Sequence, residues 1–342
     1  MKHILLIYTG GTIGMIENPT TGALESFDFD NLLFHVPELR QFALDIDTYT
    51  FDPPIDSSDM DPTQWRKLAT IIAERYDAYD GFVVLHGTDT MAFTASALSF
   101  MLEGLNKPVI FTGSQLPIGK LRTDGKENLI TAIEIAASTH PDGTPMVPEV
   151  CVFFHEKLLR GNRITKASAD EFDAFESFNY PHLATAGVKI EYHTEYILPY
   201  RPDAVLTPHY DMDTNLIIFS LFPGIRPSLV QKMLQTPELK GVIFRTFGSG
   251  NAPQLPWLAE MLAEGTRQGK VIVNITQCTG GSVAMKRYET GLQLMEAGVL
   301  SGYDSTVEAS LTKMMFLFGQ GLTPDEVRAK MQLSLCGEIT LD

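Results

Sequence analysis

The hydrophobic and polar pattern of the first half of the chain alternates between short apolar runs and amphipathic stretches. Short runs rich in Val, Ile and Phe, as in buried parallel strands, cover residues 81–85, 107–112 and 150–154. Amphipathic stretches typical of helices cover residues 62–76, 91–103 and 125–137. Asp61 and Pro62 suit the N-cap and the first position of the first helix. This alternation predicts βαβ units on a parallel sheet.

The pattern breaks over residues 191–213, which contain three prolines and no clear periodicity, and then resumes. Predicted strands cover residues 216–221, 242–246 and 271–276, and predicted helices cover residues 227–234, 256–264, 307–318 and 324–333. We therefore expect two α/β domains, a larger N-terminal flavodoxin-like parallel sheet and a smaller C-terminal Rossmann-like domain. The expected bounds are 1–192 for the first domain, 193–213 for the linker and 214–342 for the second domain.

The first candidate for chemistry is Thr12, which stands among glycines directly after the apolar run of residues 4–7. Glycines allow unusual backbone conformations and close approach of another group. A threonine there exposes a hydroxyl and free N–H groups at the carboxyl end of a strand, where open α/β sheets bind their ligands. The alternative is a tight turn in which Thr12 has no chemical role.

Thr88 and Asp89 repeat this arrangement, because they follow Gly87 at the end of the run 81–85 and precede a predicted helix. They place a hydroxyl and a carboxylate at a second strand end. The alternative is helix capping by Asp89 or Thr90, both of which are suitable N-cap residues.

Two more polar groups follow predicted strands. Ser57 and Ser58 come after residues 51–55, and Lys166 lies in the loop after the strand that ends at Phe154. The alternatives are a polar loop that caps the helix at Pro62 and a solvated surface lysine.

Taken together, four strand ends of one presumed parallel sheet carry these groups, and all such ends face the same side. Two threonines, an aspartate and a lysine form a nucleophile-and-base set. A threonine hydroxyl needs an adjacent base, and a desolvated lysine with a lowered pKa can serve as that base.

Composition excludes several classes of function. The net charge of −16 argues against nucleic acid or an anionic membrane as a partner. No apolar run approaches the roughly 18 residues that a membrane helix requires, and the apolar start is too short for a signal peptide. Cys151, Cys278 and Cys336 are scattered and odd in number, which favours reduced thiols. We expect a soluble cytoplasmic protein with a core of ordinary size.

Cofactor and metal motifs are not found in the sequence. Residues 9–14 depart from the dinucleotide fingerprint because Thr9 replaces its first glycine, and no phosphate-binding P-loop motif occurs. His155 lacks a second histidine at ligand spacing, and Ser249 is not followed by the helix start of a hydrolase nucleophile elbow. We therefore expect no cofactor and no metal.

The motifs in order resemble the bacterial L-asparaginase family, and most closely its cytoplasmic type I enzymes. The matching segments cover nearly all of the first 170 residues and extend into the second domain: residues 8–14, 56–60, 86–90, 112–115, 160–166, 248–253 and 274–278.

The resemblance implies hydrolysis of L-asparagine to L-aspartate and ammonia through an acyl-threonine intermediate. By position, Thr12 matches the primary nucleophile of the family. Thr88, Asp89 and Lys166 match its second catalytic group, in which Lys166 polarises Thr88 or an attached water. Backbone N–H groups around Gly87 or Thr88 are candidates for an oxyanion hole.

Substrate-binding residues carried over from the family are Gly11, Ser57, Ser58, Thr88, Asp89 and Asn251. The two serines match residues that bind the α-carboxylate, and Asp89 matches the residue that holds the α-ammonium group. The resemblance also implies a homo-oligomer, a dimer or a dimer of dimers, in which Asn251 contributes across the subunit boundary.

Type I enzymes can bind a second asparagine as an activator, and Thr165, Arg245 and Cys278 match positions that could line such an effector pocket. A structural salt bridge is the alternative for Arg245, since an arginine at the end of an apolar strand needs an anionic partner.

One departure from the family lies in the predicted lid, residues 15–26. The family carries a tyrosine just past a glycine there, whereas Gly22 is followed by Ala23, and no tyrosine occurs between Tyr8 and Tyr49. Either the loop aligns differently, or another group replaces the tyrosine, or activity is reduced. A non-catalytic amino-acid sensor is the alternative function that this departure favours. A broader asparaginase-glutaminase is a second alternative, because discriminating one methylene in a small pocket is worth only about 1–3 kcal/mol.

Overall fold

The computed structural model describes residues 1–17, 24–26, 36–287 and 289–341, without the side chains of residues 16, 17, 24–26 and 287. The chain divides into two compact units, Met1–Tyr210 and Asp211–Asp342. This division falls inside the interval 193–213 that the sequence assigned to the linker. Among the helices described, none is long and apolar enough to cross a membrane.

The first unit contains one large mixed sheet. Its strands and the shorter strands around it are β1 (Lys2–Tyr8), β2 (Met15–Glu17), β3 (Leu24–Ser26), β4 (Leu44–Thr50), β5 (Gly81–Leu85), β6 (Leu102–Glu103), β7 (Val109–Thr112), β8 (Val150–Phe154), β9 (Lys157–Arg160), β10 (Thr165–Lys166), β11 (Phe175–Glu176), β12 (Ala184–Ala186), β13 (Ile190–Tyr192) and β14 (Thr207–Pro208). The order in the large sheet is β13-β12-β9-β8-β7-β5-β1-β4. Strands β4, β1, β5, β7 and β8 are parallel, and β9, β12 and β13 add antiparallel edges.

Three helices connect the parallel strands: α1 (Pro62–Glu74), α2 (Met91–Met101) and α3 (Gly125–Ala137). Asp61 caps α1 as predicted, because its carboxylate accepts from the N–H groups of Thr63 and Gln64, and Pro62 begins the helix. Alternate residues of β1, including Ile4 and Tyr8, belong to the same core cluster as Leu129 of α3. Leu5 and Ile7 on the other face are equally buried, as expected for a parallel sheet covered on both sides.

The parallel strands have the flavodoxin-like order, in which the second strand along the chain lies outside the first. The strand order therefore reverses between β1 and β5, and ligands of such sheets bind at this switch point. The register aligns Tyr8 with Thr50 and Leu85, and Leu85 with Thr112, so four strands end at one level. The segments that follow β1 and β5 consequently emerge side by side.

The second unit carries a four-stranded parallel sheet with the order β15 (Leu216–Ser220), β16 (Gly241–Thr246), β17 (Val271–Thr276) and β18 (Leu300–Ser301). Its helices are α4 (Pro227–Leu234), α5 (Pro256–Arg267), α6 (Glu289–Glu296), α7 (Val307–Gly319) and α8 (Pro324–Met331). The expected fold of a larger and a smaller α/β domain with parallel sheets is confirmed.

Two expectations about local structure were wrong. The strand before Ser57 is β4, which ends at Thr50, because its alternating pattern of partly buried residues does not form an apolar run. Lys166 does not follow a parallel strand end. The chain turns back after β8 into antiparallel β9, and Lys166 lies in β10, which pairs with β11 in a separate ribbon. Some helix ends also differ from the prediction. Helices α1, α2 and α8 each end two residues earlier, at Glu74, Met101 and Met331, and α5 ends three residues later, at Arg267.

Candidate active site

Two glycines bring the segments after β1 and β5 into direct contact. Gly11 has a φ of +91°, and a Cβ placed on it would lie 2.5 Å from the Cα of Gly87 and 2.6 Å from its nitrogen. A Cβ on Gly87 would in turn lie 2.5 Å from the hydroxyl of Ser57. Neither position has room for a side chain. Glycine is therefore required at Gly11 and at Gly87 for this close approach.

Thr12 begins a single 3₁₀ turn, Thr12–Gly14, directly beside this contact. The N–H of Gly14 donates to the carbonyl of Gly11 at 3.2 Å, which closes the turn. Ile13 is fully buried and anchors the turn in the core, whereas Thr12 is only partly buried. The turn therefore presents the threonine next to the segment that carries Thr88.

Lys166 joins Thr88 and Asp89. Its ammonium group donates to the hydroxyl oxygen of Thr88 at 2.9 Å and to the carboxylate of Asp89 at 2.6 Å. The side chain of Lys166 retains 20% exposure and that of Asp89 retains 64%, so the ion pair faces solvent. The desolvated lysine that the sequence predicted is therefore found as the partly exposed member of an ion pair.

Two further residues hold the Lys166 segment in place. The side-chain amide of Gln115 donates to the carbonyls of Ala169 and Glu171, at 3.1 Å and 2.9 Å. Asp124 accepts from the N–H of Gln115 at 2.9 Å. Gln115 belongs to one of the family motifs, but no local pattern indicates this bridge, since it joins residues more than 50 positions apart.

The Ser57 segment is fixed from two sides. Thr90 does not cap α2 with its side chain, and its hydroxyl donates to the carbonyl of Ser57 at 2.6 Å. The carboxylate of Asp56 accepts from the N–H and the hydroxyl of Ser58, both at 2.9 Å, and these bonds lower the pKa of Asp56. The capping alternative for Ser57 and Ser58 also fails, because Asp61 caps α1.

His86 is completely buried beneath the site. Its Nδ1 lies 2.7 Å from the carbonyl of Gly87, so Nδ1 carries the proton and donates. Nε2 has no hydrogen-bond partner among the described residues. Burial lowers the pKa of His86 to about 4, and the side chain is therefore neutral at physiological pH.

The buried neutral state of His86 predicts a loss of stability in acid. Because its pKa is lower in the folded chain than in the unfolded chain, where it is about 6.5, protons bind preferentially to the unfolded state below that pH. The contribution of His86 to the free energy of unfolding is expected to fall by about 3 kcal/mol as the pH falls from about 6.5 to about 4.

Urea denaturation at several pH values, compared with His86→Asn, checks this prediction. The asparagine keeps a donor for the carbonyl of Gly87 but does not titrate, so the difference between the two proteins isolates the histidine. A constant difference between pH 7 and pH 4 would contradict the prediction.

The other predicted residues have contacts of their own. Thr165 pairs with Glu176 between β10 and β11. In the second unit, the amide oxygen of Asn251 accepts from the hydroxyl of Thr290 at 3.2 Å. Arg245 donates through Nη2 to the carbonyl of Gln277 at 3.5 Å, and its buried Nε finds no hydrogen-bond partner in the described ranges. Cys278 is exposed, and all three cysteines are free.

The lid prediction is only partly covered by the structure. Strands β2 and β3 pair as an antiparallel hairpin, with Met15 opposite Ser26 and Glu17 opposite Leu24. Gly22 and Ala23, where the family tyrosine is missing, lie outside the described residues. Within the described ranges, no group of three or more His, Cys, Asp or Glu side chains could hold a metal ion.

The fold and the site define a two-unit α/β protein with hydroxyl-bearing and charged side chains at the switch point of its larger sheet. Family models for the N-terminal domain of asparaginases and for the glutaminase/asparaginase C-terminal domain match residues 3–198 and 215–331. The chain therefore belongs to the asparaginase family.

Individual relatives agree with this assignment. L-asparaginase 1 of Escherichia coli is 44% identical, over all of this chain and 99% of that protein. The 60 kDa lysophospholipase of Mus musculus is 42% identical, over 99% of this chain and 63% of that protein. The crystal structure of L-asparaginase I from Vibrio cholerae superimposes with a TM-score of 0.89 at 42% identity, and covers 99% of each chain.

Proposed function

We propose that this protein hydrolyses L-asparagine to L-aspartate and ammonia, with the hydroxyl of Thr12 as the nucleophile. The observation that carries the proposal is the hydrogen bond from Lys166 to Thr88, beside the Gly11–Gly87 contact that places the Thr12 turn against the same segment. The family assignment supports the reaction, and the geometry supports the roles of the residues.

In the first step, the Thr12 oxygen attacks the carbon of the side-chain amide, and the C–N bond breaks. The hydroxyl proton leaves with the amide nitrogen as ammonia, and an aspartyl ester of Thr12 remains. In the second step, water attacks the ester and the C–O bond to Thr12 breaks. One proton of the water passes to the Thr12 oxygen, the other is released to solvent or to ammonia, and aspartate leaves.

In this scheme, Lys166 orients the hydroxyl group of Thr88 by donating a hydrogen bond to its oxygen. Because its ammonium group donates to the lone pair of the Thr88 oxygen, the hydroxyl proton of Thr88 must point elsewhere. Thr88 can then orient the attacking water or receive the proton of Thr12 while donating its own. The charge of Lys166 also stabilises the developing negative charge in both transition states.

The substrate's zwitterion has complementary partners around these groups. The exposed carboxylate of Asp89 can hold the α-ammonium group, and the hydroxyls of Ser57 and Ser58 can hold the α-carboxylate, for which the Ser58 hydroxyl must turn its proton away from Asp56. The N–H of Thr88 forms no hydrogen bond within the described residues, so it is available to the oxyanion. Each of these roles is part of the proposal.

Regulation and assembly extend the proposal. Arg245 and Cys278 would bind a second asparagine as an effector, and Thr165 is a further candidate for this role. The Nε of Arg245 finds no hydrogen-bond partner among the described residues, which supports an anionic ligand. A homo-oligomer, with Asn251 contributing across the subunit boundary, and a cytoplasmic location complete it. Free cysteines support that location.

A sigmoidal dependence of the rate on asparagine concentration, lost in Arg245→Met, would support the effector site, and a hyperbolic curve would contradict it.

Asparagine is expected to be the preferred substrate. One extra methylene in a small pocket changes binding by only a few kcal/mol, so kcat/KM for asparagine should exceed that for glutamine by about 10-fold to 200-fold. Ammonia release by the purified protein measures both values. Lysophosphatidylcholine is the control substrate, because one relative is a lysophospholipase.

Each outcome distinguishes a different function. Equal rates with both amides would indicate an asparaginase-glutaminase. Saturable asparagine binding without ammonia release would indicate an amino-acid sensor. Release of fatty acid from lysophosphatidylcholine, without release of ammonia from either amide, would indicate a lysophospholipase.

A further inference from the structure

Tyr8 spans the turn that carries Thr12. It is the last residue of β1, and its side chain is 2% exposed. Its hydroxyl lies 3.2 Å from the carbonyl oxygen of Gly14 and 3.4 Å from that of Gly11. A phenol donates one proton, so it serves these two oxygens together or in alternation, with the shorter contact favoured. The two oxygens belong to the residues that flank Thr12 and Ile13.

We propose that Tyr8 is a positioning residue that fixes the hydroxyl of Thr12 for attack by tying down both ends of its turn. The proposal rests on the proposed role of Thr12 as the nucleophile. Tyr8 does not act on the substrate itself. It acts through the backbone of the 3₁₀ turn, which has only three residues and few hydrogen bonds of its own.

Gly14 shows that the turn and the aromatic ring are fitted to each other. A Cβ on Gly14 would lie 2.2 Å from Cζ of Tyr8, 2.3 Å from Cε2 and 2.3 Å from the hydroxyl oxygen. Gly14 is not among the glycines with positive φ, so its backbone conformation is open to alanine. The glycine is therefore required by the space that the tyrosine ring occupies.

The hydroxyl remains a donor across the pH range in which enzymes are assayed. Burial raises the pKa of Tyr8 to about 12, and the phenol is therefore protonated at neutral and moderately alkaline pH. Tyr8 belongs to the buried part of β1, residues 4–8, and this position in the core holds its hydroxyl in place beside the turn. A reacting group displaced by about 1 Å can lose roughly 100-fold in rate, so this restraint has catalytic consequences.

The test is Tyr8→Phe, which keeps the ring beside Gly14 and removes only the donor. We expect kcat with asparagine to fall by roughly 10-fold to 100-fold, while KM and the dissociation constant of aspartate change by less than about threefold. The charged groups around Ser57 and Asp89 stay intact in this variant, so ligand binding is preserved. No new ionisation is expected in the pH profile of kcat.

Tyr76→Phe is the matched control. Its hydroxyl is also partly buried and accepts from the N–H of Asn106 at 2.8 Å. Tyr76, however, precedes the amino end of β5, whereas the candidate site lies beyond the carboxyl end of that strand. We expect it to lose stability without losing kcat. If Tyr8→Phe and Tyr76→Phe show the same kcat as the unchanged protein, or if Tyr8→Phe weakens aspartate binding as much as it lowers kcat, the positioning role is wrong.

Gly14→Ala tests the same contact from the other side. The alanine should displace the turn and lower kcat, and the double variant Tyr8→Leu with Gly14→Ala should be no slower than Tyr8→Leu alone, because the ring that causes the clash is gone. Additive losses would overturn the proposal.

Thr12→Ala, measured in parallel, separates the two claims. Activity retained in Thr12→Ala rejects Thr12 as the nucleophile, whereas an inactive Thr12→Ala with a fully active Tyr8→Phe rejects only the positioning role of Tyr8.

Discussion

Thr12→Ala is expected to lower kcat/KM for asparagine by about 10⁴-fold or more, since removal of a nucleophile abolishes the covalent route and leaves only binding and electrostatic effects. The Thr12 turn is anchored by buried Ile13 and closed by the bond from Gly14 to Gly11, and neither contact needs the hydroxyl. The variant should therefore fold normally and still bind aspartate. Steady-state ammonia release and calorimetric titration with aspartate measure the two effects.

Thr12→Ser is the matched control for this result, because it keeps the hydroxyl and removes a methyl group. It should retain measurable activity and, after rapid acid quenching with asparagine, carry one aspartyl group on residue 12 by peptide mass spectrometry. An aspartyl group on Thr88, or full activity in Thr12→Ala, would show that the nucleophile is assigned to the wrong threonine.

Lys313→Met is expected to lower the free energy of unfolding by about 3–5 kcal/mol, the usual cost of breaking a buried ion pair from one side. Lys313 of α7 and Glu338 lie 2.6 Å apart with side chains 2% and 0% exposed. The carboxylate also accepts from the N–H groups of Leu335 and Cys336, at 3.0 Å and 2.9 Å. Without the lysine, this carboxylate remains buried with an uncompensated charge.

Arg267→Met provides the comparison at the surface. Arg267 and Glu264 form an ion pair at 2.6 Å within α5, but their side chains are 72% and 48% exposed. Its loss should cost less than about 1 kcal/mol, because water solvates both groups in either state. Urea denaturation of the two variants under the same conditions measures the difference. Equal losses would show that burial does not determine the strength of the Lys313–Glu338 pair.

Sequence patterns predicted the parallel strands because burial on both faces leaves a continuous apolar run. Residues 81–85 and 150–154 were located in this way, and their strands have the predicted bounds. Strand β4 was missed because it is the outer parallel strand and its residues are only partly buried. The antiparallel strand β9 was missed as well, since a hairpin after Phe154 does not change the spacing of hydrophobic residues along the chain.

The candidate site was predictable in its residues but not in its contacts. Thr12, Thr88, Asp89 and Lys166 could be chosen from strand ends and from the family motifs. The charged ammonium of Lys166 between Thr88 and Asp89, and the hydroxyl of Tyr8 against the carbonyl of Gly14, depend on segments that meet only after folding. His86 gave no signal of its burial, because its polarity suggests an exposed position.

The sequence by itself determined the α/β class, the glycines of the close approach and the set of candidate side chains, because local periodicity and backbone freedom are properties of neighbouring residues. The tertiary structure decided which strand ends meet. Parallel pairing of β1 with β5 places Gly11 against Gly87, and a separate ribbon brings Lys166 across 77 positions to Asp89. Such contacts depend on the order of the strands and on where the chain reverses. Both are determined by burial of the core as a whole, so a local sequence pattern does not encode them.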